Sequence, residues 1–148
     1  MSGAFFALLE AVHGHLAMLG LALLLHPIIS LRRRPRLTKW TLRSADLGAL
    51  FVALPFAIGW FIYPAYREHI KPGLLTDMQV VAMRFETKEH LAFLTLALVL
   101  SGVACLRIAG ADEHGRRIAW HLLMTGWLCG VTTAVLGIHV ASVAHPGF

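Results

Sequence analysis

The sequence predicts an all-α membrane protein folded as an antiparallel, up-down four-helix transmembrane bundle. Three observations carry this. Residues of the AVILMFWYC set make up 57% of the 148 positions and charged residues only 14%, whereas a soluble domain is about 25% charged. The apolar residues collect in four runs of about 20 residues or more, each sufficient to cross a hydrocarbon core of about 30 Å. Short polar connections separate the runs, which makes successive helices antiparallel neighbours. The spans are expected at residues 4–31, 42–63, 88–108 and 117–143, with an amphipathic helical extension over 77–87. They form a single domain over 1–148 with no room for a separate soluble one.

The first span ends in Arg32-Arg33-Arg34 and lacks a basic start, so it reads as a retained helix rather than a cleaved signal peptide. Pro27 should loosen its last turn, because it cannot donate to the carbonyl of Leu23. Span two opens with Arg43 and Asp46 and carries Pro55 as an expected kink. The stretch 63–69, Tyr-Pro-Ala-Tyr-Arg-Glu-His, is expected as a loop. Before span three, Thr76-Asp77-Met78-Gln79 fits a capping box. Leu74, Met78, Val81 and Phe85 then recur at helical spacing, and no Gly or Pro intervenes before Gly102. One helix over 77–108, about 45–50 Å long, follows. Pro146-Gly147 ends span four. Cys105 and Cys129 lie inside apolar runs with no CxxC pair, and read as packing residues rather than a disulfide or zinc site.

Lys and Arg set the expected orientation. Nine of them (Arg32, Arg33, Arg34, Arg36, Lys39, Arg43, Arg107, Arg116, Arg117) flank the loops after spans one and three. Four (Arg67, Lys71, Arg84, Lys88) lie at the other end. Basic loops in the cytoplasm and both termini on the non-cytoplasmic side follow, as for a protein of a bacterial inner membrane. The net charge of +5 is thereby explained by topology and does not point to nucleic acid.

Six of the nine histidines lie inside or at the mouths of the spans, where a polar ring is costly and marks a candidate site. They form two bands. His26 and His121 lie about 13–14 Å inward of their span centres, on the first and last helices, and make the preferred inner pair. His90 and His139 lie about 12–13 Å outward, with His13 and His15 about 4–7 Å from the midplane. Glu10, Glu86 and Glu89 join this outer band, which therefore mixes imidazoles with carboxylates. Glu10-x-x-His13 fits one half of a di-iron bundle motif, but such a site needs two copies and two further Glu. His69, His114 and His145 read as loop residues. On span four, His121 and His139 are about five turns apart on one face, with Thr125 and Thr132 close to it. Gly126, Gly130 and Gly137 lie opposite, including one GxxxG. The polar face is expected to look into the bundle. The smooth face suits another helix, another membrane subunit or a second copy.

In its architecture and in the placement of His26, His121, His139, His90 and His13, the sequence resembles the four-helix membrane cytochromes b, including quinone-linked and formate- or hydrogenase-associated subunits. The resemblance implies one or two b-type haems, with His26 and His121 as inner axial ligands and His139 with His90 or His13 as outer ones. It implies electron transfer across the bilayer as a small subunit of a respiratory-type complex. The chain departs from the pattern in having no His in span two and an acidic outer band. For a quinone partner, the outer rim offers Trp60, Tyr63, Tyr66, Arg67, Glu86 and Glu89, although Trp and Tyr at span ends also make the ordinary interfacial belt. Two other readings stay open. One is metal handling, as in small copper-resistance membrane proteins, with outer His and Glu capturing an ion that descends past His15, Met18 and His26. The other is a cofactor-free accessory subunit of a larger complex. Whether the chain catalyses anything alone, and with which residues, the sequence leaves open.

Overall fold

The computed structural model describes residues 3–33, 37–69, 71–72, 78–110 and 112–144. Four long helices make up nearly all of them: α1 (Gly3–Arg33), α2 (Lys39–His69), α3 (Gln79–Ala109) and α4 (Glu113–Ala144). Each is long and apolar enough to cross a membrane. At 1.5 Å per residue they measure about 46–48 Å, which exceeds a hydrocarbon core of about 30 Å. The end carrying the α1–α2 and α3–α4 connections is called the basic end here, and the opposite end, with both termini, the distal end.

The bundle is two hairpins. α1 packs along α2 and α3 along α4, while α1 meets α4, and α2 meets α3, over shorter stretches. Glycines permit the close approaches, as small residues do between tightly packed helices. Pro55 cannot donate to the carbonyl of Phe51, and Gly20 of α1 lies against that carbonyl; a Cβ at Gly20 would sit 2.5 Å from the Phe51 oxygen. The second hairpin is closed by Gly102 against Leu123 and by Gly126 against Leu98 and Val99. Between the hairpins, Trp120 and Trp127 of α4 donate their indole N–H groups to the backbone oxygens of Ile28 (3.1 Å) and Leu21 (2.9 Å) of α1. An aliphatic core of Leu24, Ile28, Ala49, Val52, Val99 and Leu123 fills the space around them. Nearer the basic end, Ala45, Leu106 and Ala119 continue it.

Three expectations about the elements are revised. α2 does not stop near residue 63: it runs through Pro64 to His69, because the extra turns bury Tyr66 against α3. α4 begins one turn earlier than expected, since the Asp112 carboxylate accepts the Gly115 N–H at 2.6 Å and caps the helix. α4 is also turned the other way round. His121, Thr125 and Thr132 are exposed, whereas Gly126 and Gly130 are buried. The glycine face does receive another helix, but from the same chain: α3 at Gly126, and Leu21 of α1 at Gly130, where a Cβ would lie 2.6 Å from the leucine side chain. Thr132 can face outward because its hydroxyl donates to the Leu128 carbonyl one turn back (3.0 Å), which satisfies it without a partner helix. The continuous third helix runs from Gln79, and Met78 accepts the first backbone bonds, from Val81 (2.9 Å) and Ala82 (3.1 Å). Thr76 and Asp77 of the expected capping box lie outside the described residues.

Candidate functional site

The distal third of the bundle holds a cluster of polar side chains drawn from every helix. On α3, Val81, Ala82 and Phe85 face inward with Tyr66 of α2 and Val140 of α4. Lys88 and Glu89 follow one turn on and share that face, by the three- and four-residue spacing of a helix. The Tyr66 ring stacks on Phe85 with centroids 4.0 Å apart and planes 12° from parallel. The Lys88 ammonium lies 4.5 Å over the same Phe85 ring, a geometry in which the ring quadrupole attracts the cation. The Lys88 stem passes α4 at Gly137, where a Cβ would lie 3.5 Å from it, an ordinary contact. The charges of Glu10 and Glu89 act on both Lys88 and Tyr66. Tyr66 is only 7% exposed, and its hydroxyl oxygen is buried with no hydrogen-bond partner among the described residues.

His13 borders this cluster from α1. Its Nδ1 lies 2.8 Å from the Pro55 carbonyl, and Gly59 clears the space for its ring, since a Cβ there would fall 3.1 Å from the His13 Cε1. The charge of Lys88 reaches it. At the rim, Lys71 donates to Glu86 (2.9 Å), and that hydrogen bond holds the Lys71 ammonium above its ordinary pKa. Arg84 donates to Nε2 of His139.

The hydrogen bonds fix the tautomers of several expected ligands, because a backbone carbonyl can only accept. His13 donates through Nδ1 to Pro55, His15 to Ala11 (2.7 Å) and His90 to Glu86 (2.8 Å). Each neutral ring therefore offers a bare lone pair at Nε2. His26 is held through Nδ1 by Ser44 of α2 (2.7 Å). His121 is exposed, with its ring edge-on to Trp120 at 4.8 Å.

The structure does not bring the expected pairs onto a common ligand. α1 meets α4 through Leu21 and Ile28, and His26 lies roughly 140–160° around the helix from them, towards α2. Trp120 and Trp127 occupy the α1–α4 contact where an inner haem would stand. His90 lies roughly 140–160° around α3 from Thr95 and Lys88, the residues that face α4 at Gly130 and Gly137. His139 already has Nε2 engaged by Arg84. The residues present therefore do not fit a bis-histidine haem inside the bundle. No group of three or more His, Cys, Asp or Glu placed to hold a metal ion occurs among the described residues; Glu10, Glu86 and Glu89 do not gather with the histidines into one.

Of the outer-rim residues, Tyr63 and Tyr66 enter the cluster, while Trp60 and Arg67 are exposed. Trp60 lines an aromatic seam between α2 and α3, where Phe93 meets Phe56 (4.8 Å) and Trp60 (6.1 Å) edge to face. Lys88 and Gly59 were missed as site residues. The helical spacing Val81, Phe85, Lys88, Glu89 would have revealed Lys88 had it been applied to charges as well as to histidines. Gly59 carries no such signal. Comparison of the chain with protein-family profiles, with curated proteins and with solved structures gives no match.

Proposed function

We propose that this chain is an integral membrane protein that binds the polar head of a bilayer-soluble, quinone-class molecule in the distal cluster and exchanges protons with it, as a small subunit of a respiratory-type complex. The observation that carries this reading is the Tyr66 hydroxyl, buried and without a partner among the described residues. A buried donor of this kind marks a place where a ligand atom completes the hydrogen bonding. Around it stand groups suited to a molecule that gains and loses protons: Glu89 and Glu10, the Lys88 ammonium, and the Nε2 lone pair of His13. The aromatic seam of Phe56, Trp60 and Phe93, of which Trp60 and Phe93 are exposed, gives such a ligand an apolar route from lipid between α2 and α3, which meet over a shorter stretch than the helices within either hairpin.

The test is binding of a short-chain quinone analogue to the purified protein in detergent, read by quenching of tryptophan fluorescence. Tyr66→Phe should weaken binding about tenfold, the loss expected for one hydrogen bond of ~1.4 kcal/mol. Equal affinity of wild type and variant, or no binding to either, overturns the reading.

A second reading keeps the electron-carrying b-type haem that the sequence resemblance implies, but on a face of the bundle rather than inside it. The Nε2 lone pairs of His15 and His90, both on exposed faces, favour it. Each iron would take one imidazole from this chain. Axial imidazole and burial would set the potential of the bound haem. A Soret band that shifts on reduction with dithionite supports this reading, and a colourless preparation rules it out.

A further inference from the structure

The end of α1 and the start of α2 frame an open cavity of about 440 Å³ lined by His26, Ile29, Ser30, Arg33, Thr38 and Trp40. It lies at the basic end, opposite the distal cluster. Among the described residues no carboxylate lines it. Asp46, on the second turn of α2, is taken by Arg107 of α3. The Arg33 guanidinium is exposed and has no ion pair among the described residues. Exposed Arg32 and Lys39 add positive charge nearby. Trp40 is held as an outer wall by the Arg43 guanidinium, 5.5 Å from its ring.

The inner wall is a chain of hydroxyls. Thr41 links Ser30 and Thr38, both at 2.8 Å. The imidazole of His26 has a defined polarity. Ser44 gives its one proton to the Thr41 carbonyl (3.1 Å), so it can only accept from His26 at 2.7 Å. His26 Nδ1 therefore carries the proton, and Nε2 is a hydrogen-bond acceptor. One cavity thus combines a cation, hydroxyls and an acceptor nitrogen. Beyond it, Ile29 and Leu25 are 47% and 38% exposed and continue the surface along α1 towards the middle of the bundle.

We propose that this cavity binds an anionic phospholipid with a hydroxylated headgroup, of the phosphatidylglycerol type. The phosphate pairs with Arg33 and accepts from the hydroxyls of Ser30 and Thr38. A headgroup hydroxyl donates to Nε2 of His26, and an acyl chain follows Ile29 and Leu25. Basic pockets at the ends of membrane helices select anionic headgroups in this way. The apolar continuation distinguishes a lipid from a free phosphate ion, which has no use for it.

The experiment is native mass spectrometry of the full chain in mild detergent, with phosphatidylglycerol and phosphatidylcholine offered separately. Wild type should retain phosphatidylglycerol over phosphatidylcholine. Arg33→Gln should lower phosphatidylglycerol retention about fivefold, the effect of one basic side chain near a headgroup. Trp40→Leu should lower retention of phosphatidylglycerol with the positive charge intact. Arg117→Gln, at the same end of the bundle but paired with Glu113, should have no effect. Equal retention of the two lipids by wild type, or equal losses in Arg33→Gln and Arg117→Gln, overturns the proposal. Displacement of phosphatidylglycerol by millimolar inorganic phosphate also overturns it and assigns the cavity to a free anion. Should Arg33→Gln not fold, judged by its helical melting transition, Trp40→Leu decides.

Discussion

Tyr66 sits on Phe85 with its hydroxyl in a low-dielectric interior, and a buried donor left unmade costs about 1–3 kcal/mol. Tyr66→Phe removes that cost while keeping the ring stack. Without ligand, the variant should therefore melt higher than wild type, although it binds a quinone analogue more weakly. Differential scanning fluorimetry in detergent checks the first effect and fluorescence quenching the second. A lower melting temperature with unchanged affinity makes the hydroxyl a structural group and removes the basis of the proposed site. Gly59 supplies a second check at this scale. Gly59→Val drives a side chain into the His13 ring and should abolish analogue binding while the helical circular dichroism is retained; undiminished binding would take His13 out of the site. The candidate residues at this scale were visible as types. Their directions were not, because the orientation of His26 depends on a hydroxyl in another helix, Ser44, and that of His139 on Arg84, which lies in α3. Lys88 was legible only as a charge that helps set topology, since its stacking on Phe85 depends on the rotation of α3.

The elements themselves were largely legible. Long apolar runs at the right length leave few alternatives to four helices, and the uninterrupted 77–108 pattern matches the single helix Gln79–Ala109 over the described residues. What misled was local chemistry. The stretch 63–69 reads as a loop, yet its Pro64 removes only one helical hydrogen bond, and the burial of Tyr66 lies on the far side of it. On α4 the polar stripe was expected inside, but hydroxyls that bond their own helix tolerate the outer face, whereas only glycine permits the contact made at Gly126. Gly126→Leu places new atoms where a Cβ would already lie 3.0 Å from Val99. It should cost about 1–3 kcal/mol through overpacking, seen as a lowered melting temperature. Val135→Leu on the exposed face should be neutral. If Gly126→Leu instead changed only the mass of the assembly, the glycine face would be an interface between copies after all.

At the scale of the whole molecule the two hairpins are joined unevenly. The α2–α3 seam is tied at the basic end by Asp46 with Arg107 and at the distal end by Lys71 with Glu86, with the aromatic contacts between. Surface ion pairs contribute about 0–1 kcal/mol each, so they influence opening more than folding. Asp46→Asn combined with Lys71→Gln should raise the association rate of the quinone analogue severalfold in stopped-flow quenching, with only a small change in melting temperature. An unchanged rate would mean the ligand enters elsewhere. The raised pKa of Lys71 gives the distal tie its pH dependence. The contribution is fully present below the ordinary lysine pKa of 10.5 and is lost as the pH rises through the raised value, so alkaline conditions slacken that end and neutral ones do not.

The aliphatic half of the bundle has an electrical consequence. Between the distal cluster and the basic end stand Leu24, Ile28, Val52, Val99 and Leu123, none of which can carry a proton. Tyr66 apart, the buried polar side chains among the described residues are Thr41 and Thr95, neither of which titrates, so a proton exchanged with the proposed ligand near Tyr66 should return by the face it entered. Proteoliposomes containing this chain should therefore hold a pH gradient as well as empty ones do, and proton exchange with the bound ligand should be silent to the membrane voltage.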